Sequence, residues 1–234
     1  MSGHSKWATT KRKKAAVDAK KSANFTKLAN MIAVAAREGG DPETNFKLRM
    51  AIEKARLGSL PRENIERAIK RGAGELGGNQ IEQLLYEGYG PEGVALIIEI
   101  ITDNKNRASQ NIKHLLTKYG GNLGSPNSVM WQFTQKGVVT IDKNSLSDEE
   151  QLELIDAGAE DIKSNEDTAI YTPVDRLENV KTKAENLNLQ VAESGLEYIA
   201  KDPVKINKEE ALLKLFEELD ECDDVNNFYS NADL

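Results

Sequence analysis

Residues 3–7 read Gly-His-Ser-Lys-Trp, and Lys11, Arg12, Lys13 and Lys14 follow in one run. Residues 1–27 hold eight Lys and Arg against Asp18 alone. Cations at that density bind phosphate. Each neutralised phosphate releases counterion, so affinity falls with salt at a log–log slope of about −0.7 to −0.9 per contact. The bland alternative is a solvated tail that aids solubility. Trp7 adds a π-face, which contributes about 1–3 kcal/mol when stacked on an exposed base. Equally, its indole could pack on neighbouring helices and pin the segment down. His4 is a neighbour able to donate a hydrogen bond or to stack.

Other residues invite chemistry and do not sustain it. His4 and His114 are the only histidines, and neither has a Cys or carboxylate at metal-ligand spacing. No metal or other cofactor is expected. Cys222 stands among Glu221, Asp223 and Asp224, which disfavour a thiolate. The string Gly72-Ala73-Gly74-Glu75-Leu76-Gly77 matches the dinucleotide pattern G-x-G-x-x-G. That pattern needs a strand before it and a helix N-terminus after it. Here a helix precedes, a loop follows and Glu75 repels phosphate, so a linker is the better account. Nine Asp and Glu with one Lys between Ser147 and Asp167 read as a solvated face. No Ser-His-acid set or phosphate loop appears, and the chain is expected not to be an enzyme.

The elements that position the cations come from periodicity. Hydrophobic residues make up 39% and charged residues 29% of 234, a globular balance. The longest apolar run, Val94 to Ile101, is strand-sized, far below the ~20 residues of a membrane span. With no apolar segment behind the first cations, no secretory leader is expected, and the location expected is the cytoplasm. Phe25, Leu28 and Ile32 open a first helix that ends at Gly39-Gly40. Asp41-Pro42 reads as the cap and first residue of a second, which runs to Leu57. A third, from Pro61 to Gly72, is expected to bury Ile65, Ala68 and Ile69. This bundle presents Lys54, Arg56, Arg62, Arg67, Lys70 and Arg71 outward. Residues 1–74 carry 17 Lys and Arg against 7 Asp and Glu, a net +10, while residues 75–234 carry −17. Binding to a polyanion is therefore expected at the basic end alone.

Beyond a linker at 72–79, "LLYEGYG" and "VALIIEIIT" read as a buried hairpin. A helix over 106–119 and strands "VMWQFT" (129–134) and "GVVTID" (137–142) follow. From Val138 to Ile199 the order strand-helix-strand-strand-helix-strand matches a ferredoxin-like unit. The closing "VNNFYS" (225–230) is expected to return to the first sheet, making that unit an insertion. The fold class expected is α+β: an N-terminal three-helix domain (1–78), a central α/β domain (79–136 plus 204–234) and an inserted ferredoxin-like domain (137–203).

The blocks "GHSKW", "FTKL" (25–28), "AAREGG" (35–40), "NIERAIKRG" (64–72), "YGPEGVAL" (89–96), "TDNKNR" (102–107), "GGNLG" (120–124) and "SVMWQF" (128–133) occur in order. Together they resemble the YebC family, which includes bacterial YebC/PmpR proteins and the mitochondrial translational activator of cytochrome oxidase subunit I. The likeness is strong to about Gly137 and looser beyond. Among the departures, Asn127 stands where glycine is usual. The resemblance implies a non-enzymatic regulator of gene expression that binds nucleic acid, as DNA-binding transcriptional regulators do. The alternative it implies is a ribosome-associated translation factor that binds ribosomal RNA and relieves stalling at proline-rich sequences. A ligand-sensing protein resting on the inserted domain and the "TDNKNR" loop ranks below both. The partners expected are nucleic acid, DNA or ribosomal RNA, and the ribosome, with no membrane. Candidate contacts are His4, Lys6, Trp7, Lys11, Arg12, Lys13, Lys14, Lys20 and Lys21, joined by Arg67, Lys70 and Arg71 on the third helix.

Overall fold

The computed structural model describes residues 21–76, 81–165, 167–207 and 209–234. Helix α1 (Lys21–Ala36) buries Leu28, Ile32 and Ala36, one residue per turn. Helix α2 (Phe46–Leu57) adds Leu48, Ala51, Ile52 and Ala55, and α3 (Arg62–Gly72) adds Ile65 and Ala68 to the same core. The second helix starts later than Asp41-Pro42 suggests. Its cap is Asn45, whose side chain accepts from Leu48 N at 3.0 Å. The same amide donates to Ala35 O at 2.8 Å and Gly39 O at 2.7 Å, tying the cap to the end of α1. Asp41 instead closes a turn by accepting from Glu43 N. At Gly72, α3 crosses α1 so closely that a Cβ would lie 2.1 Å from Ala33 O. The first glycine of the G-x-G-x-x-G string is there for helix packing.

Strands β1 (Glu82–Tyr89) and β2 (Ala95–Thr102) pair antiparallel from Glu82↔Thr102 to Tyr89↔Ala95, joined through a 3₁₀ turn at Pro91–Gly93. Helix α4 (Lys105–Lys118) follows, with Asn104 as its cap, and then β3 (Asn122–Leu123) on the outer edge of β1. The segment 129–134 is not the separate strand its sequence suggests. It is a 3₁₀ turn (Met130–Gln132) running into one long strand, β4 (Phe133–Ile141).

Contact density divides the chain into two compact units, Phe133–Ile199 and the remainder. In the first, β4 is followed by α5 (Asp148–Asp156), β5 (Asp161–Ser164), β6 (Thr168–Thr172), α6 (Leu177–Asn186) and β7 (Val191–Ala200). Their sheet order is β5-β6-β4-β7, that of a ferredoxin-like unit. Ser147 and Glu150 form a capping box at the start of α5.

The chain then completes the other unit with β8 (Val204–Lys205), α7 (Glu209–Glu221), β9 (Val225–Ser230) and β10 (Ala232–Asp233). Strand β9 lies antiparallel to β2, giving the order β3-β1-β2-β9, and β10 pairs parallel with β8. The fold is thus α+β, with a ferredoxin-like domain inserted into a central α/β domain behind three helices. Leu212, Leu215, Phe216 and Leu219 of α7 share one core with Ile112 and Leu116 of α4 and with Leu96, Ile98 and Ile100 of β2. Phe216 and Phe228 meet at 5.0 Å between ring centroids. Among the described residues, no helix is long and apolar enough to cross a membrane.

Candidate nucleic-acid interface

His4, Lys6, Trp7, Lys11, Arg12, Lys13, Lys14 and Lys20 lie outside the described residues. Lys21 is the first described residue of α1. Arg67, Lys70 and Arg71 stand on α3 at i, i+3 and i+4, all exposed, opposite buried Ile65 and Ala68. They are not equivalent. Arg67 donates to Asn64 Oδ1 at 2.8 Å. Lys70 is exposed and has no ion pair with a described residue. Arg71 lines a cleft of about 420 Å³ with Thr26, Asn30, Asp103, Arg107 and Asp224. The carboxylates there oppose its charge, whereas Arg67 and Lys70 have no such neighbours in that cleft.

Other cations are engaged within the fold. The Lys27 ammonium donates to Asp220 O at the end of α7. Arg37 donates to Ile81 O at 3.0 Å. Lys54 faces Glu99 of β2, whose carboxyl burial pushes above the ordinary value while Asn226 and Lys54 pull it back. These contacts hold the helical bundle against the central sheet, beside a small apolar contact of Ala33, Ile81 and Ile101.

The "TDNKNR" segment is a structural joint. Asn104 caps α4 by accepting from Arg107 N at 3.1 Å. Arg107 reaches Asp224 with Nη2–Oδ1 at 2.8 Å and Nε–Oδ2 at 3.4 Å, tying α4 to the start of β9. That hydrogen-bonded partner raises the guanidinium pKa further above its ordinary value. Cys222 also lines the cleft, and burial pushes its thiol up, against the backbone hydrogen bond at Asp224 that pulls it down. His114 is exposed on α4.

Four carboxylates of the acidic stretch of the inserted domain are paired with lysines. Glu150 pairs with Lys143, Glu153 with Lys183, Glu160 with Lys136 and Asp161 with Lys163. Among the described residues, no three His, Cys, Asp or Glu side chains are grouped to hold a metal ion.

One buried carboxylate escaped the sequence reading. Glu87 of β1 accepts from three backbone N–H groups: Asn127 at 2.6 Å, Val129 at 2.8 Å and Met130 at 2.8 Å. Burial alone would raise its pKa, but the three donors outweigh burial and hold it below the ordinary range. Asn127 adopts φ 66°, the left-handed region that Asn tolerates and glycine prefers. The turn so fixed carries Trp131, whose side chain is 68% exposed. The signal for Glu87 in the sequence is a Glu set among the Leu, Tyr and Gly residues of 84–90.

Residues 5–75 match the model of the TACO1/YebC protein N-terminal domain, and residues 81–232 match that of the TACO1/YebC second and third domain. A protein of Natranaerobius thermophilus named probable transcriptional regulatory protein is 48% identical over 242 residues, covering 100% of this chain and 97% of that one. A protein of the same name from Thermotoga maritima is 49% identical over 240 residues, covering 100% and 94%. The crystal structure of a conserved hypothetical protein from Aquifex aeolicus superposes with a TM-score of 0.84 at 41% identity, covering 94% of this chain and 93% of that one.

Proposed function

This chain belongs to the TACO1/YebC family, and from that premise we propose that it is a non-enzymatic regulator of gene expression that acts by gripping nucleic acid through its basic N-terminal part. The observation that carries the proposal is the charge division, +10 over residues 1–74 against −17 over the rest. A surface of that polarity draws a polyanion first to its basic end. The names of the relatives support regulation as the setting. Domain 1–78 is the binding part, with the central domain (79–136 plus 204–234) and the inserted domain (137–203) behind it, and the protein works in the cytoplasm without a cofactor or a catalytic step.

A second form of the same proposal is a translation factor bound to ribosomal RNA, and one observation favours it. The only amide side chain on α3, Asn64, already accepts from Arg67. That bond engages the acceptor oxygen that a bidentate contact with an adenine edge would use. Lys and Arg contacts to phosphate position a protein without specifying sequence, which suits recognition of RNA by shape. Gradient sedimentation of the chain with ribosomes and with promoter DNA tests both forms. Co-migration with either supports the proposal and identifies the target. Migration with neither, at physiological salt, overturns it.

A further inference from the structure

We propose that Trp131 is a stacking platform for an unpaired base of a single-stranded nucleic acid, with Lys201 beside it to meet the adjoining phosphate. This rests on the nucleic-acid-binding reading and adds a second contact, outside the basic N-terminal part.

A tryptophan normally buries its rings and leaves its N–H near water. Trp131 does the reverse. Its Nε1–H is turned inward to Ser128 O at 3.0 Å, while the side chain as a whole remains 68% exposed. The apolar face is therefore the part offered to solvent. Its orientation is fixed from below. Ser128 O also accepts from Tyr89 OH at 3.1 Å, and Gln132 N donates to Val129 O at 2.9 Å. The N–H groups of Asn127, Val129 and Met130 are held by the buried Glu87 carboxylate. The ordering that binding would otherwise have to supply is already in place.

The surroundings select the ligand. Lys201 donates from Nζ to Trp131 O at 2.8 Å and from its backbone N to Gln132 O at 2.9 Å. An ammonium has three donors, so the remaining two are available to an anion beside the Trp131 backbone. Gln132 is itself bonded to Asn231 Nδ2 at 2.9 Å. A protein-binding hot spot sits inside a ring of apolar contacts that exclude water. The groups bonded to this turn are polar: Ser128 O holds the indole N–H, and Lys201 holds the carbonyls of Trp131 and Gln132. A lone π-face with an adjacent cation matches how single strands are held, base on aromatic and phosphate on cation. Bases inside a duplex offer no free face, so the site discriminates against double strands.

The chain has two tryptophans, so a Trp7→Phe background makes Trp131 the sole indole reporter. In that background the probes are an RNA single strand of about 12 nucleotides, its DNA counterpart and a duplex of the same length. Saturation with a single strand should quench Trp131 emission, and the duplex should leave it unchanged. Trp131→Ala should weaken single-strand binding roughly 5- to 150-fold, and Trp131→Phe should restore most of it. Lys201→Ala should lower the log–log salt slope by about 0.7, one phosphate contact. Because the side chain is exposed, the Ala variant should keep the parent melting temperature. Quenching by both strands assigns recognition to the base itself, and quenching by RNA alone adds the 2′-hydroxyl. Undiminished binding by Trp131→Ala, or saturation without quenching, overturns this proposal. If reversing Lys11, Arg12, Lys13 and Lys14 to Glu still abolishes binding in that case, the proposed function stands alone. A parent chain that binds no nucleic acid overturns both.

Discussion

Replacing Glu87 by Gln keeps the side chain's shape and removes its charge. The native carboxylate, 7% exposed, accepts from Asn127 N at one oxygen and from Val129 N and Met130 N at the other. A Gln oxygen placed at the second position keeps two donors and turns its own NH₂ against the Asn127 N–H. One charge-assisted bond is lost, and two become neutral. At about 1.5–3 kcal/mol for a bond to a charged group and about 0.5–1.5 for a neutral one, the lost bond and the two weakened ones sum to about 3.5–6 kcal/mol, an upper bound that relaxation of the turn reduces. The sign of the pH dependence follows from the depressed folded-state value. The contribution is fully present above the ordinary 4.5 and is lost as pH falls through the lower folded value. The gap between native and Gln chains should thus be full near pH 7 and narrow near pH 3. Urea unfolding followed by Trp131 emission in the Trp7→Phe background reads this turn directly, which matters in a chain of two compact units. A difference under about 0.5 kcal/mol near pH 7, or one that does not change on acidification, would refute the strut assigned to Glu87.

Two further substitutions probe the joints of the fold. Gly72→Ala would set a methyl 2.1 Å from Ala33 O and 2.7 Å from Ala36 Cβ, so α1 and α3 must separate. The expected loss is about 3 kcal/mol, the upper end for overpacking. Gly74→Ala, with φ +81° and nothing within 4 Å, should cost only about 1 kcal/mol, and chemical denaturation of both variants checks the ranking. Arg107→Ala strips the partner from Asp224, whose side chain is 10% exposed. The melting temperature should fall, with a stability loss smaller than the roughly 3–5 kcal/mol of a fully buried pair, since the Arg107 side chain is 51% exposed. Adding Asp224→Asn should recover part of that loss.

Periodic features were legible where one element decides them. The i, i+4 apolar spacing gave the three helices, and the alternation of 138–199 gave the ferredoxin-like order. The β-rich tail at 225–230 had to find a sheet, and it pairs with β2. What escaped was non-local. Residues 129–134 have strand composition, yet Glu87, some 40 positions upstream, draws three of their neighbouring amides into a turn. Asp41-Pro42 is a sound local cap, and Asn45 wins because its amide also satisfies two carbonyls at the end of α1. Arg107 and Asp224 lie 117 positions apart, so the role of "TDNKNR" as a joint has no local signal. Among the candidate contacts, Arg67, Lys70 and Arg71 were legible as one helix face. That Arg71 lines a cleft among aspartates depends on Asp103 and Asp224, which belong to the central domain.

The central claim is that the basic N-terminal segment holds nucleic acid by its phosphates. The most direct test is the salt dependence of affinity for one RNA or DNA ligand, compared between the native chain and the variant with Lys11, Arg12, Lys13 and Lys14 reversed to Glu. Four phosphate contacts contribute about 3 to the magnitude of the log–log slope. The native chain should show at least that steepness, and the variant should lose both the slope and the binding. Equal affinity and equal slope in the two chains would contradict the claim.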